Sequence, residues 1–321
     1  MTPTRRHAAL GLVALGAATL PTGAARAAGL AAAEAPELEK PDTDEPNASL
    51  DTTTGRYEHM LAPVTINGEG PFRFLLDTGA NISCVSHDLA QRLDLKTVEV
   101  TQVHTVVGVR SRPIVILDEL TVGTRNRKNV RAPSLPIKGR EIDGVLGVDW
   151  LKGQRLVLDF KGRKMEITRS RADVEEAGKA VVIPARRRHG QLTIVDADMG
   201  GVRISAILDS GAQGTFCNTP LRELARRQDK SIGRGRDANP TYVRMETLAG
   251  ESFTGESLYI PFLRLGGLHL GNVAVTHADM HVFDIWGLKD TPAMVLGMDL
   301  LSQFERVSLD FGRSQVRFDF V

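Results

Sequence analysis

The sequence is poor in cysteine and in aromatic residues, carries almost no net charge, and has no long apolar run after its first segment. Two cysteines in 321 residues exclude a disulfide-stabilised scaffold. A formal net charge of +1 argues against a protein built to bind nucleic acid or another polyanion. The 31 glycines, set against an aromatic fraction of 5%, favour short strands and tight turns over long helices. The length allows two domains or one bilobed unit. After the first segment, no run of residues is long and apolar enough to predict a membrane-spanning helix.

The first residues have the order of an export signal. Arg5 and Arg6 form a basic start, residues 8–20 are apolar, and residues 25–27 read Ala-Arg-Ala, a small-residue cleavage signal. An Ala-rich tail is the alternative, but all three regions occur in sequence, and the arginine pair resembles a twin-arginine signal. We therefore expect residues 1–27 to be a signal peptide and the protein to be periplasmic or secreted. Residues 28–55, rich in Pro, Asp, Glu and Thr, are expected to be a disordered linker.

Two stretches of the chain end an apolar run on an aspartate, a hydroxyl residue and a glycine: FLLDTGANIS at 74–83 and AILDSGAQGT at 206–215. Each is followed later by a second motif, GVLGVDWL at 144–151 and MVLGMDLL at 294–301. The aspartate and the later VLG glycine are 70 residues apart in the first half and 88 in the second. The order indicates an internal duplication with an insertion near 233–242.

Between these markers, apolar and polar residues alternate in short segments broken by turn residues. This pattern is typical of an all-β barrel or sandwich. Two short helices are predicted directly after the repeated motif, at 86–93 and 219–227. Ser86 and Thr219 precede their apolar positions and are the expected N-caps.

The duplicated Asp-Thr/Ser-Gly turn, with its hydrophobic-hydrophobic-Gly segment downstream, resembles the retropepsin-like aspartic proteases. Retroviral members assemble two identical chains, whereas this sequence resembles both halves fused into one chain. The resemblance implies an all-β, bilobed acid-protease-like fold of two pseudo-symmetric β-barrel halves with short helices. We expect an N-terminal lobe at 56–170, an inter-lobe connection at 171–184 and a C-terminal lobe at 185–321, acting as a monomer.

The two motif aspartates, Asp77 and Asp209, are the predicted catalytic residues. Hydrolysis of an amide by water requires a base for the water and an acid for the carbonyl oxygen. Two neighbouring carboxyl groups that share one proton supply both, as established for aspartic proteases, because two like charges in contact do not both ionise cheaply. The alternative, that both are ordinary turn residues, does not explain their recurrence in a duplicated frame.

These observations predict an aspartic endopeptidase that acts on a peptide or protein substrate, with no metal and no organic cofactor. The alternative is a peptide- or ligand-binding protein that keeps the fold without cleaving its ligand. A related alternative is an interaction domain whose partner occupies the groove as a regulator.

The residues that follow each aspartate have predicted supporting roles. Gly79 and Gly211 allow two loop backbones to approach closely, where a Cβ would clash. By the resemblance, the hydroxyl groups of Thr78 and Ser210 hydrogen-bond across to the opposite loop and hold both acids in register.

Two hairpins occupy the positions that flaps have in related proteases. They lie at 105–114 and 247–256, around Gly108 and Gly250, our flap candidates. Neither has the retroviral Ile-Gly-Gly run or an obvious flap tyrosine, so a plain surface hairpin is the alternative for each.

Ala80 and Ala212 follow the motif glycines, where pepsin carries a hydroxyl residue. Without that hydrogen bond to the ionised form, we expect a mildly acidic to near-neutral pH optimum.

The remaining candidates for chemistry are histidines and cysteines. His277, Asp279 and His281 have spacing that suits half of a metal site, but the preceding residues read as a strand, which favours a surface loop. Cys84 and Cys217 lack a motif that supplies a partner histidine, so we interpret them as small buried residues.

Overall fold

The computed structural model describes residues 8–10, 48–51, 53–54, 60–137, 141–173, 179–228 and 240–320. Most of the expected signal peptide and linker, and most of the insertion near 233–242, lie outside the described residues. Within the described residues the chain is mainly β-strand with a few short helices. None of the helices described is both long enough and apolar enough to cross a membrane.

The first half of the chain contains twelve of the described strands. These elements are β1 Ala8–Leu10, β2 Ala48–Asp51, β3 Thr53–Thr54, β4 Met60–Ile66, β5 Glu69–Leu76, β6 Cys84–Ser86, α1 His87–Arg92, β7 Thr97–Thr105, β8 Gly108–Val122, β9 Arg125–Leu135, β10 Gly144–Leu146, a 3₁₀ helix Val148–Trp150, β11 Gln154–Asp159 and β12 Lys164–Arg169.

The second half repeats the pattern among its described residues. Its elements are β13 Ala180–Arg188, β14 Gln191–Met199, β15 Val202–Leu208, β16 Phe216–Cys217, α2 Thr219–Gln228, β17 Thr241–Thr247, β18 Ser252–Leu265, β19 Leu268–His277, α3 His281–Ile285, β20 Ala293–Leu296, α4 Met298–Leu301, β21 Arg306–Asp310 and β22 Gln315–Asp319.

The two halves have the same strand topology around the repeated motifs. In the first half β10 lies between β5 and β6, parallel to the former and antiparallel to the latter. In the second half β20 lies between β15 and β16 with the same two directions. Strand β4 also pairs with β8, and β14 with β18, which curls each sheet towards a barrel. The all-β, bilobed fold of two equivalent halves is therefore as predicted.

The halves are joined by strands that end each repeat. Strand β11 pairs with β21, and each is also paired with its own hairpin partner, β12 and β22. Leu156 and Leu309, a cross-strand pair in this joint, are fully buried in one hydrophobic cluster that draws on both lobes. Strand β13 adds to the edge of β22 and begins at Ala180, within the stretch 171–184 expected to connect the lobes.

The two helices after the repeated motif begin close to the predicted residues. Ser86 caps α1 as predicted, since its Oγ accepts a hydrogen bond of 3.0 Å from the Leu89 N–H. In the second half the cap is Asn218, one residue before the predicted Thr219, because Asn218 Oδ1 accepts from the Leu221 N–H at 3.1 Å. The Thr219 hydroxyl instead donates to a carboxylate oxygen of Asp279 at 2.7 Å, so a second acceptor nearby competes for it.

Candidate active site

Asp77 and Asp209 occupy equivalent positions directly after β5 and β15. The Asp77 N–H donates to the Leu146 carbonyl at 2.9 Å, and the Asp209 N–H donates to the Leu296 carbonyl at 3.0 Å. Both acceptors end the central strands, β10 and β20, so each loop leaves its sheet at the same point. Both aspartates have 0% of their surface exposed. The repeated sequence therefore buries two carboxyl groups in matching loops at the lobe boundary.

The two loops interlock through their hydroxyl residues. Thr78 Oγ1 donates to the Leu208 carbonyl at 2.9 Å and accepts from the Ser210 N–H at 3.0 Å. Ser210 Oγ donates in return to the Leu76 carbonyl at 2.8 Å and accepts from the Thr78 N–H at 3.2 Å. These four buried bonds include the cross-loop contacts expected of both hydroxyl groups. They join segments about 130 residues apart and fix one acid loop relative to the other.

Each carboxyl group is held by its own loop and faces the other. Asp77 Oδ1 accepts from the Gly79 N–H at 2.8 Å, and Asp209 Oδ1 accepts from Gly211 at 2.8 Å and Ala212 at 3.2 Å. The side chains of Asp77 and Asp209 interact with each other. The other Asp209 oxygen, Oδ2, is buried and makes no hydrogen bond of ordinary geometry within the described part of the chain.

The close approach expected at Gly79 is present. A Cβ on Gly79 would lie 2.3 Å from Asp209 Oδ2, a distance that no real contact allows. The backbone of the first loop therefore lies directly against the acid of the second loop, and only glycine fits there.

Burial sets the electrostatics of this pair. Burial removes the Asp209 carboxyl group from water and raises its pKa to about 6. Hydrogen bonds from Asp77, Gly211 and Ala212 lower the pKa but do not cancel the effect of burial. The protonated form is therefore retained into the mildly acidic range. When one carboxyl group of an adjacent pair keeps its proton, the other can be ionised, so the two groups differ in charge.

The glycines of the second motif pack beneath the acid loops. A Cβ on Gly147 would lie 2.8 Å from the Ala80 carbonyl oxygen, and one on Gly297 would lie 2.2 Å from the Gly214 carbonyl oxygen. These contacts support both loops at equivalent points, because a larger side chain would displace the backbone above it.

Two hydroxyl–carboxylate pairs also support the loops, and the sequence reasoning missed them. Ser83 Oγ donates to Asp149 Oδ1 at 2.8 Å, and Thr215 Oγ1 donates to Asp299 Oδ1 at 2.7 Å. Burial raises the pKa of both carboxyl groups. The signal was available, since both repeats place a hydroxyl six residues after the motif aspartate and an aspartate two residues after the VLG glycine.

The first flap candidate lies across the lobe boundary. Strands β7 and β8 are joined by Val106 and Val107, and Gly108 follows the turn with a φ of 138°. Val106 is fully buried and packs in a cluster of the C-terminal lobe that includes Ala212 and Phe216. The hairpin tip thus covers the second acid loop.

The second flap candidate mirrors the first. Strands β17 and β18 are joined by residues 248–251, and Gly250 has a φ of 76°. Leu248 packs in a cluster of the N-terminal lobe with Ala80, Cys84 and Val145. Each hairpin therefore inserts an aliphatic side chain beside the acid loop of the opposite lobe.

Polar contacts fasten the hairpins in this closed arrangement. The His281 N–H donates to the Val106 carbonyl at 2.8 Å, and His104 Nδ1 lies 3.0 Å from His281 Nε2. Arg110 Nε donates to Glu251 Oε1 at 2.8 Å, which ties one hairpin to the other. The closed hairpins and the interlocked loops together leave both acids without exposed surface.

The two histidines set aside by the sequence reasoning line one cavity but bond to different partners, and the two cysteines are buried. His277 bonds to the Thr219 hydroxyl at 2.9 Å, whereas His281 faces His104, so the two side chains have different partners. Both cysteines are buried free thiols, as predicted. Burial raises the pKa of Cys84 and of Cys217.

A comparison with protein-family models matches both lobes. A family model described as aspartyl protease matches residues 62–150 and 195–300, one region in each lobe. Both regions contain one acid loop and one VLG strand. A comparison with curated proteins gives no significant match.

Proposed function

The chain belongs to the aspartyl protease family, and from that premise we propose that it is an endopeptidase in which Asp77 and Asp209 activate one water molecule between them. One observation carries the proposal: the reciprocal hydrogen bonds of Thr78 and Ser210 lock two buried acid loops together so that their carboxyl groups face each other. Because burial of two carboxyl groups destabilises the fold, their presence in both repeats supports a role in chemistry.

The proposed reaction needs one proton on the pair. Burial raises the pKa of Asp209, and Asp77 is equally buried, so the proton is shared by the pair. In the proposed reaction Asp209 carries this proton and Asp77 is the ionised base. Asp77 removes a proton from the water as its oxygen attacks the carbonyl carbon of the peptide, and Asp209 donates its proton to the carbonyl oxygen. In the resulting tetrahedral diol, Asp77, now protonated, donates its proton to the amide nitrogen, and the ionised Asp209 removes a proton from one hydroxyl group of the diol. The C–N bond then breaks, and a carboxylic acid and an amine leave.

The hairpins around Gly108 and Gly250 are proposed to act as flaps over the substrate. Val106 and Leu248 fill apolar positions beside the acid loops, so a peptide enters only after the hairpins move outward. Their return would exclude water from the cleft and strengthen the electrostatic interactions inside it. The apolar lining of both positions supports a peptide substrate with apolar side chains near the scissile bond.

Export belongs to the proposal as well. The ordered basic, apolar and small-residue regions of 1–27 support a periplasmic or secreted enzyme. Such an enzyme would meet its peptide substrates outside the cytoplasm.

The test is cleavage of a peptide library by the wild type and by Asp77→Asn and Asp209→Asn, with products read by mass spectrometry. We expect internal cleavage by the wild type and a loss of roughly 10²- to 10⁴-fold or more in turnover for each variant. Asp310→Asn is the matched control, because Asp310 is 1% exposed and bonds to Ser170, not to the acid loops.

Absence of cleavage by the wild type would favour a binding protein with this fold. Equal turnover in the wild type and the Asp209→Asn variant would show that another group performs the hydrolysis. Inhibition by a statine-type peptide would argue against a groove occupied only by a regulatory partner.

A further inference from the structure

A buried glutamine from the C-terminal lobe reaches the acid loop of the N-terminal lobe. Gln191 begins β14 and is 1% exposed. Its Nε2 donates to the Gly79 carbonyl at 3.0 Å and also bonds to Asn81 Oδ1. Residues 112 positions apart in sequence are joined by this contact. One side chain of the second lobe is thus bonded to two residues of the first acid loop.

Gly79 is the residue through which this contact reaches both acids. Its N–H donates to Asp77 Oδ1 at 2.8 Å, and its Cα faces Asp209 so closely that a Cβ would be 2.3 Å from Oδ2. Its carbonyl is the group that Gln191 holds. A small shift of Gly79 would therefore change the position of Asp77 and the separation of the two carboxyl groups together.

The chemistry of the contact requires a carboxamide. Two acceptors, the Gly79 carbonyl and Asn81 Oδ1, converge on one nitrogen that carries two N–H donors and no charge. A carboxylate in this position would place an oxygen, which cannot donate, beside the Gly79 carbonyl oxygen and Asn81 Oδ1. Because an amide does not titrate, the contact holds throughout the acidic range in which the proposed dyad works.

Fold stability alone does not account for this residue. Gln191 Oε1 is buried and has no hydrogen-bond partner among the residues that the structure describes. A buried acceptor left unpaired destabilises the folded state and offsets part of the stabilisation from the two bonds that Nε2 donates. The amide nitrogen of Gln191 instead fixes the position of the Asp77 loop.

We propose that Gln191 is a positioning residue, which fixes the Asp77 loop from the opposite lobe and so sets the geometry of the acid pair. The proposal rests on the hydrolytic function proposed above. It makes the interlock a three-point contact, with Thr78 and Ser210 joining the loops directly and Gln191 joining the first loop to the second lobe.

The experiment compares Gln191→Met and Gln191→Glu with Gln154→Met, in peptide hydrolysis as a function of pH. Gln154 is the matched control, since it is also a buried glutamine, 1% exposed, at the start of a strand away from the acid loops. We expect Gln191→Met to lower kcat by about tenfold or more, with KM changed by less than about threefold. The control is expected to lower thermal stability and leave kcat unchanged.

Gln191→Glu gives a readout that packing alone would not produce. A protonated glutamic acid donates one hydrogen bond to the Gly79 carbonyl, whereas the ionised form donates none. We therefore expect partial activity at low pH that falls as the new glutamate ionises, a basic limb additional to the one that the acid pair gives the wild type and Gln154→Met. The same variant is expected to lose affinity for a statine-type peptide between low and neutral pH by a larger factor than the wild type.

The remaining results distinguish failure of the positioning role from failure of the proposed function. If Gln191→Met and Gln191→Glu retain the kcat and the pH profile of the wild type, the positioning role is wrong while the proposed hydrolysis stands. If neither variant folds while Gln154→Met does, Gln191 is a stability residue and the inference is overturned. If the wild type itself shows no hydrolysis that depends on Asp209, the proposed function fails first.

Discussion

Replacing Asp209 by asparagine should stabilise the protein at neutral pH while it abolishes hydrolysis. The shape of the side chain is retained, so Oδ1 still accepts from the N–H groups of Gly211 and Ala212. The new amide nitrogen takes the place of Oδ2, which has no hydrogen bond of ordinary geometry among the described residues. The amide is a donor in a side chain that interacts with Asp77. The variant loses only the ionisable proton and the charge.

The magnitude follows from the raised pKa. Burial moves the pKa of Asp209 from 3.8 to about 6, and each pH unit corresponds to about 1.4 kcal/mol, so the ionised form destabilises the fold by roughly 3 kcal/mol. Because the folded state binds the proton more tightly than the unfolded state, the penalty is absent below about pH 4. It grows as pH rises towards about 6 and is constant above.

The assay is urea unfolding of the wild type and Asp209→Asn at about pH 4 and about pH 7.5, supported by the thermal midpoint. We expect a gain of up to roughly 3 kcal/mol, or about 5–10 °C, at the higher pH and little gain at the lower pH. A variant that is less stable than the wild type at the higher pH, or equally stabilised at both pH values, would refute the claim that the buried, ionised Asp209 destabilises the fold.

Three further predictions concern the same loops. Gly79→Ala should fold but lose turnover, because its Cβ would lie 2.3 Å from Asp209 Oδ2; full activity, measured beside circular dichroism, would contradict the close approach. Ser210→Ala should lower stability by about 1–3 kcal/mol and reduce turnover, because it leaves the Thr78 N–H without its bond, whereas Ser210→Thr should stay near the wild type in both assays. Turnover as a function of pH should fall above about 6, where the pair loses its shared proton; a profile that peaks near about pH 2 would contradict the raised pKa of Asp209.

The acid loops were predictable because their signal is local and occurs twice. An apolar strand that ends in Asp-Thr-Gly or Asp-Ser-Gly, followed by a helix with a hydroxyl or amide cap, specifies the turn within about ten residues. The duplication then indicates that two such turns meet. Asn218 in place of Thr219 as the second cap shows the limit of this reasoning, since two neighbouring side chains were both able to cap and a distant acceptor, Asp279, engaged one of them.

Apart from the bonds of Thr78 and Ser210, the contacts across the lobe boundary were not predictable from the sequence. The bond from Gln191 to Gly79 joins residues 112 apart, and nothing local to either residue indicates it. The same holds for the hairpin tips, since Val106 and Leu248 are ordinary turn-flanking aliphatic residues until the lobes are assembled. Such contacts depend on how two complete lobes pack, which no segment of sequence encodes alone.

The most direct measurement of the central claim is a crystal structure of the protein with a statine-type peptide bound. Our account requires the hydroxyl group of the inhibitor to lie within hydrogen-bond distance of both Asp77 and Asp209, with the two hairpins moved from the opposite lobes to cover the peptide. An inhibitor whose hydroxyl contacts a single carboxyl group, or one bound away from both, would contradict it.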